Sequence, residues 1–377
     1  MVMGKKRRII GAICLDLAIS TLFIWNIFVN PLAHNLDLSL SEVNYIFAFG
    51  LAFFSMGAII GGYATDFISP SFLALISGIG MVGGLWLAAI APSFIWVVIG
   101  FGLLHGSATG LGYATAVHEA GIINHGLALA LVVSAYGVGS VLLAQPISWL
   151  IAVSSYHIAF AALGVFSAAV CGLAVFLLPK QVILGDQAPM SRKKPEDVSH
   201  LAGLLLLLWL MFGLGSAPGL ITFALAGALT GGASSSSVIA VNFGNLSGRI
   251  LAGILSNRLG ASCVLHGNCA LLVAACGMLV FAESRWVADI SLLMIGLQYG
   301  ALSTLLPLLL RKGVPVTVFG RCFGIVFSAW GVCGLIAPVV ASMLLGFGGI
   351  SWVILIMIAC IILSWLAWVT SQYKYSQ

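Results

Sequence analysis

Charge is what this sequence has least of. Asp, Glu, Lys and Arg make up 7% of its 377 residues, against about 25% in soluble domains. With 61% hydrophobic residues and a mean hydropathy of +1.17, that deficit excludes a soluble globular chain and indicates a multi-pass integral membrane protein. Enzyme signatures are missing as well. No HExxH, GxSxG or phosphate-cradling GxxxxGKS/T occurs, so no enzyme, cofactor or resident metal is expected. The eight cysteines form no CxxC pair or metal-ligand spacing and read as inert buried thiols. The net charge of +5 is no nucleic-acid footprint, because the basic residues sit in short clusters between apolar runs. Long polar segments are nearly absent, the exception being residues 180–200.

What is there is a succession of apolar runs of spanning length, about 20 residues each. Twelve can be counted: 9–30, 43–65, 72–91, 93–117, 126–152, 156–179, 200–222, 234–256, 263–282, 287–310, 321–346 and 350–370. The opening MVMGKKRRII is charged like a signal peptide, but no small-residue cleavage site closes a short apolar core. It reads as the start of a retained first span. Basic residues concentrate in cytoplasmic loops. Placing both termini inside collects every Lys and Arg there except Arg285, outside, and Arg249, within a span.

The halves repeat one another. Gly57-Ala-Ile-Ile-Gly-Gly-Tyr-Ala-Thr-Asp66 in span 2 aligns with Gly248-Arg-Ile-Leu-Ala-Gly-Ile-Leu-Ser-Asn257 in span 8. Ser134-Ala-Tyr-Gly-Val138 matches Ser328-Ala-Trp-Gly-Val332, and Gly102-Leu-Leu-His-Gly106 matches Gly296-Leu-Gln-Tyr-Gly300. The expected fold is therefore an all-α membrane protein with twelve transmembrane helices as two six-helix bundles: 1–179, a cytoplasmic linker at 180–200, and 201–377. A six-plus-six duplication places binding near the midplane between the bundles, and the 45 glycines let helices approach closely.

Within that body Arg249 stands out. It is always protonated, it lies about 10 Å along the helix from Ser256, and a charge at mid-membrane costs about 2.5–3.5 kcal/mol on insertion scales. It either snorkels to the headgroups or faces an interior that supplies an anion. A planar guanidinium fits one carboxylate through two parallel hydrogen bonds. Asp16, about 10 Å inside Ile9, lies at matching depth in the other half. A cross-bundle Asp16–Arg249 pair would neutralise the empty carrier, and an arriving anion could displace the aspartate, which would then take up a proton. His105, near mid-membrane and the repeat mate of Tyr299, is a second candidate proton carrier. Its alternative is a buried neutral ring bonded to a hydroxyl or carbonyl. Trp25, Tyr136, Trp330 and Tyr299 are candidate pocket aromatics, with Asn245 one turn before Arg249. Trp86, Trp96, Trp149, Trp352 and Trp365 read as interfacial or packing residues. His118, Glu119 and His125 are expected as solvated residues of the loop after span 4.

The duplicated halves and the Gly62-Tyr-Ala-Thr-Asp66 turn resemble the major facilitator superfamily, which implies its fold. In that family this turn and its counterpart form an inward-gate latch, here Asp66 with Asn257 and Arg258. Ser69-Pro70-Ser71 stands where basic residues are usual, and Asn257 replaces an acid, so the resemblance implies a weaker latch. Ile24-Trp-Asn-Ile-Phe-Val-Asn-Pro31, Gly110-Leu-Gly-Tyr113, Asn245-Leu-Ser-Gly-Arg249 and Phe327-Ser-Ala-Trp-Gly331 are similar to the oxalate/formate antiporter and monocarboxylate transporter branch. In that branch the position of Arg249 holds the substrate carboxylate. Members exchanging a dianion carry a lysine at what looks like the Trp330 position, so its loss points to a single carboxylate. The expected protein is a proton-coupled monocarboxylate transporter working by alternating access, a monomer in a prokaryotic inner membrane with both termini cytoplasmic. Its expected partners are a small organic anion, protons and the lipid bilayer, with no nucleic acid. The alternatives are anion exchange without protons and a non-transporting receptor on a transporter fold.

Overall fold

The computed structural model describes residues 2–123, 125–181, 201–229 and 235–375. Among them the regular structure is entirely helical: α1 (Val2–Ile19), α2 (Val29–Leu36), α3 (Leu40–Ala64), α4 (Pro70–Ala89), α5 (Phe94–Val97), α6 (Gly106–Ile123), α7 (Gly126–Val153), α8 (Tyr156–Leu177), α9 (Ala202–Leu229), α10 (Ser235–Leu259), α11 (Ala261–Val280), α12 (Arg285–Gly313), α13 (Phe319–Gly348) and α14 (Ile350–Tyr375). A π-helical stretch, Val98–His105, joins α5 to α6, so that one continuous span runs from Phe94 to Ile123.

Ten of these helical spans are long and apolar enough to cross a membrane. Two more, α1 and α10, complete the twelve. They fall short because α1 carries Lys5 to Arg8 and Asp16, while α10 carries Arg249, Arg258 and a serine-rich start. Local signals start several helices. Ser39 and Glu42 form a reciprocal capping box at α3, and the Ser39 hydroxyl and N–H hold the exposed Glu42 carboxyl below its usual value. Ser69 caps α4, with Pro70 in the first turn.

Two expected spans are corrected. The first, placed at 9–30, is helical only to Ile19 and is followed by short 3-10 turns at Ser20–Leu22 and Trp25–Ile27. The Ser20 hydroxyl donates to the Leu17 carbonyl at 2.6 Å, and the Thr21 hydroxyl can donate to that of Ala18 at 2.9 Å. Such bonds compete with continuation of the helix. The fourth, placed at 93–117, continues to Ile123, so His118 and Glu119 lie in α6 rather than in a loop. The linker expected at 180–200 lies, from Val182 onward, outside the described residues.

By packing the chain forms two compact units. The first contains Met1–Ile123, Val132–Glu196 and Val316–Gly324, and the second Asn124–Leu131, Asp197–Pro315 and Ile325–Gln377. The first turns of α7 therefore belong to the second unit, and those of α13 to the first. In the first unit α3 packs on α6, α4 on α8, and α1 on both α6 and α8. In the second, α10 packs on α12 and α9 on α14.

The α3–α6 and α10–α12 pairs use one device. A Cβ on Gly57 would strike the Ser107 carbonyl, and one on Gly110 the Phe54 carbonyl. A Cβ on Gly248 would strike the Leu297 carbonyl, and one on Gly300 that of Asn245. Aligned glycines of the two halves, Gly57 and Gly248, thus bring backbones together at matching places. Gly57→Val and Gly300→Val are each expected to destabilise the protein by about 1–3 kcal/mol through overpacking. Gly277→Ala, with nothing within 4 Å of its added carbon, is the neutral control. Thermal unfolding of purified protein in detergent ranks the three, and a control as unstable as Gly57→Val would refute the packing account.

Candidate functional site

Asn245 and Arg249 stand one turn apart on α10. The Arg249 Nε donates to Asn245 Oδ1 at 3.1 Å, and the arginine is only 2% exposed. It is neither turned toward lipid nor drawn out to the headgroups. The backbone around it is fixed by α12, where Gly300 rests on the Asn245 backbone and the Thr304 hydroxyl donates to the Arg249 carbonyl at 3.2 Å. The guanidinium therefore projects from a helix whose axial position cannot slip.

Just before Gly300 on α12 stands Tyr299, whose hydroxyl accepts a 2.6 Å bond from Trp330 Nε1. Phe327 stacks on Trp330 at 5.7 Å, and Phe223 meets Tyr299 edge-on at 5.6 Å. A Cβ on Gly219 of α9 would collide with the Tyr299 ring. Two of the expected pocket aromatics are thereby joined in one wall.

Asp16, fully buried, accepts a 3.1 Å bond from the Tyr136 backbone N–H through Oδ2. The Tyr136 ring stacks on Phe23 at 4.6 Å. Phe23 was not singled out in the sequence, because it looks like one of many apolar residues until the break after Ile19 turns it toward α7. Trp25 lies elsewhere. It is 1% exposed and packs at 4.4 Å on Phe101, whose ring is 5.2 Å from that of His105. The structure thus brings Asp16 together with Tyr136, and joins Trp25 to His105 through Phe101.

His105 is bonded at both nitrogens, Nδ1 to the Met81 carbonyl at 3.3 Å and Nε2 to the Thr21 hydroxyl at 3.2 Å. A carbonyl only accepts, so Nδ1 carries a proton. In the neutral ring Nε2 then accepts from Thr21. In the protonated ring the hydroxyl can turn its hydrogen to the Ala18 carbonyl and accept from Nε2 instead. Both charge states have a complete set of partners.

At the far ends of α3 and α10 the latch candidates separate. Asp66 Oδ2 accepts from Arg321 Nε and Nη2 at 3.0 and 2.6 Å, inside the first unit, with the guanidinium carbon 4.8 Å from the centre of the Tyr63 ring. Gly62 and Gly320 allow the backbones to touch. In the second unit Asn257 Oδ1 accepts from the Gly126 N–H at 2.9 Å, beside the close approach of Gly253 and Gly126. Gly126 and Gly320 each precede the repeated Ser-Ala-aromatic-Gly motif by eight residues, so one device is built twice. Arg258 is exposed in the last turn of α10 and, among the described residues, makes no hydrogen bond or ion pair. Arg321 was missed as a partner. The signal was a cation immediately after the repeated glycine.

His118 and Glu119, expected in a solvated loop, are instead buried, Glu119 to 1% exposure. The helix continues because nothing between Val117 and Ile123 breaks it. Arg8 of α1 forms an ion pair with the Glu119 carboxylate, and His118 Nδ1 lies 3.4 Å from its other oxygen. Burial is tolerated because the charge is matched.

The sequence profile of the Major Facilitator Superfamily matches residues 9–338. The chain belongs to this superfamily of transporters. No curated protein matches it in sequence. Among solved structures, the human organic anion transporter MFSD10 aligns over 98% of this chain and 99% of its own, at 16% identity and a TM-score of 0.70. The proton:xylose symporter XylE, bound to 6-bromo-6-deoxy-D-glucose, aligns over 99% and 95% at 16% identity and 0.72. The transporter FucP, in an outward conformation, aligns over 96% and 97% at 14% identity and 0.72. At such identities the likeness establishes the fold: this superfamily chain is a multi-pass membrane transporter of twelve helices in two bundles.

The two latches predict unequal losses. Asp66→Asn removes the negative partner of the buried Arg321 and is expected to cost about 3–5 kcal/mol. Asn257→Ala removes one neutral acceptor, at about 1 kcal/mol. Hydrogen exchange should show the first turn of α13 losing far more protection in Asp66→Asn than the first turn of α7 loses in Asn257→Ala. Equal losses would contradict the assignment.

Proposed function

We propose that this secondary transporter carries a small organic anion, a monocarboxylate, together with a proton. The observation that supports the reading is Arg249, a permanent charge held in the interior of a membrane helix by Asn245. A carboxylate would dock on the guanidinium, whose planar fork offers two parallel bonds that match its two oxygens. The Tyr299–Trp330 wall would receive the apolar remainder of the substrate, and Tyr136 and Trp25 would shape the first unit. Fold alone is neutral on cargo, since one similar structure is named for organic anions and another for xylose.

Asp16 is the proposed proton site and His105 the second. Asp16 is buried and accepts a backbone N–H, and it is the acid at which a proton would be taken up. Substrate anion at Arg249 and proton at Asp16 would then enter together, keeping the loaded carrier neutral. Asp66, Arg321, Asn257 and Gly126 serve as the proposed gate, with Arg258 beside it. The proposed setting is a prokaryotic inner membrane, both termini cytoplasmic, with the chain working as a monomer of two bundles, 1–179 and 201–377.

The test is uptake of labelled short carboxylates by proteoliposomes. Arg249→Ala and Arg249→Lys are expected to abolish transport while the protein remains folded, because a point charge cannot reproduce the planar fork. Wild-type transport by both variants would remove Arg249 from the site. Asp16→Asn is expected to retain counterflow but lose accumulation driven by a pH gradient. Unchanged accumulation would exclude Asp16 as the coupling group, and absence of net uptake by the wild type under any gradient would favour obligate exchange.

A further inference from the structure

On the membrane face where α10 ends and α11 begins, the described residues of the second unit present hydrogen-bond donors without matching acids. Arg258 is exposed in the last turn of α10, and Lys312 in the last turn of α12. Lys312 Nζ donates to the Ser262 hydroxyl oxygen at 3.4 Å. One turn further along α11, about 6 Å deeper, is His266, exposed on the outer surface of the unit. Trp365 Nε1 of α14 donates to His266 Nδ1 at 2.9 Å, with the rings 6.3 Å apart and edge-on.

An indole N–H can only donate, so Nδ1 must be the accepting nitrogen. That assigns the ring proton to Nε2. A second N–H therefore lies on the exposed surface of the unit. The Ser262 oxygen accepts from Lys312, which leaves its hydroxyl hydrogen to donate as well. Among the described residues, the second unit's acids are Glu283 and Asp289. Both lie beyond the opposite end of α11, a helix of 20 residues, about 30 Å away. Alongside the donors the surface is open. Cys263 is exposed, and nothing stands within 4 Å of where a Cβ on Gly267 would be.

We propose that Arg258, Ser262, His266 and Lys312 form a binding site for an anionic glycerophospholipid. Its phosphodiester sits against Lys312, Ser262 and Arg258, and a glycerol-ester carbonyl accepts from His266 Nε2. The acyl chain lies along the open strip beside Gly267. Basic residues on one membrane face attract anionic headgroups, but here the donors also extend inward by a helical turn. A soluble anion would satisfy the charged end alone, and only a lipid supplies an acceptor at the level of His266 and apolar cover below it.

The experiment uses the full chain, delipidated in detergent and titrated with dioleoyl-phosphatidylglycerol, dioleoyl-phosphatidylcholine or inorganic phosphate. Retained lipid is read by native mass spectrometry and stability by thermal unfolding. Phosphatidylglycerol is expected to be retained preferentially and to raise the unfolding temperature most. The Arg258→Gln/Lys312→Gln double variant is expected to lower its retention by about tenfold or more, while Lys312→Arg retains it. His266→Phe, which keeps a ring against Trp365 but removes the N–H, is expected to weaken retention of both lipids while preserving their order. Equal retention of the two lipids by the wild type overturns the proposal. So does an unaltered response in the double variant, or a phosphate shift equal to that of phosphatidylglycerol. Should the double variant unfold, Lys312→Arg decides: loss of phosphatidylglycerol there overturns a site built on charge.

Discussion

A charge placed among hydrocarbon side chains has to meet a polar complement, and among the described residues each buried charged side chain has one. Arg249 is held by the Asn245 amide, Asp16 accepts a backbone N–H, Asp66 grips Arg321, and Glu119 is matched by Arg8. The two helices least suited to a membrane by composition, α1 and α10, carry Asp16 and Arg249. Each depends on neighbours to stay in place. The first is packed on α6 and α8, and the second is fastened to α12 through glycines that let backbone touch backbone. Glycine packing is thus the structural condition for carrying charge: a helix seated this closely can hold a buried guanidinium without slipping to bring it to water.

Duplication gave the protein two copies of each device, and divergence made them unequal. The glycine contacts of α3 on α6 recur for α10 on α12. The end of α3 holds the first turn of α13 through an ion pair, whereas the end of α10 holds the first turn of α7 through a neutral bond. Membrane interiors magnify that difference, because a broken ion pair leaves a desolvated charge while a broken amide bond leaves a dipole. The two holds are therefore unequal in kind, one an ion pair and the other a neutral bond.

Much of this was legible in the letters. Apolar runs separated by short basic clusters give the spans, and the repeats of Gly57 with Gly248 and Tyr136 with Trp330 give the duplication. Arg249 stands out in the letters as a permanent charge deep within an apolar run. What was not legible depended on contacts far apart in sequence. Arg321 follows the repeated Gly320 directly, but its partner Asp66 lies 255 residues earlier. His118 and Glu119 look solvated because the buried counter-charge, Arg8, lies more than a hundred residues earlier. Trp25 and Tyr136 both suggest a pocket, yet the break after Ile19 sends Phe23 to Tyr136 and Trp25 to Phe101. Short hydroxyl-to-carbonyl bonds end that helix with no proline to announce the fact.

The π-helical stretch at Val98–His105 has a consequence for everything that follows it along the span. A π turn accommodates about one residue more than an α turn. Tightening it to α geometry would screw α6 about its own axis by roughly 100° and displace it by about 1.5 Å. His105 would swing off the Met81 carbonyl, and at the other end Glu119 would swing away from Arg8. The eight-residue π stretch would thus link the setting of His105 to that of the Glu119–Arg8 pair along one helical span, as a screw thread links the two ends of a shaft.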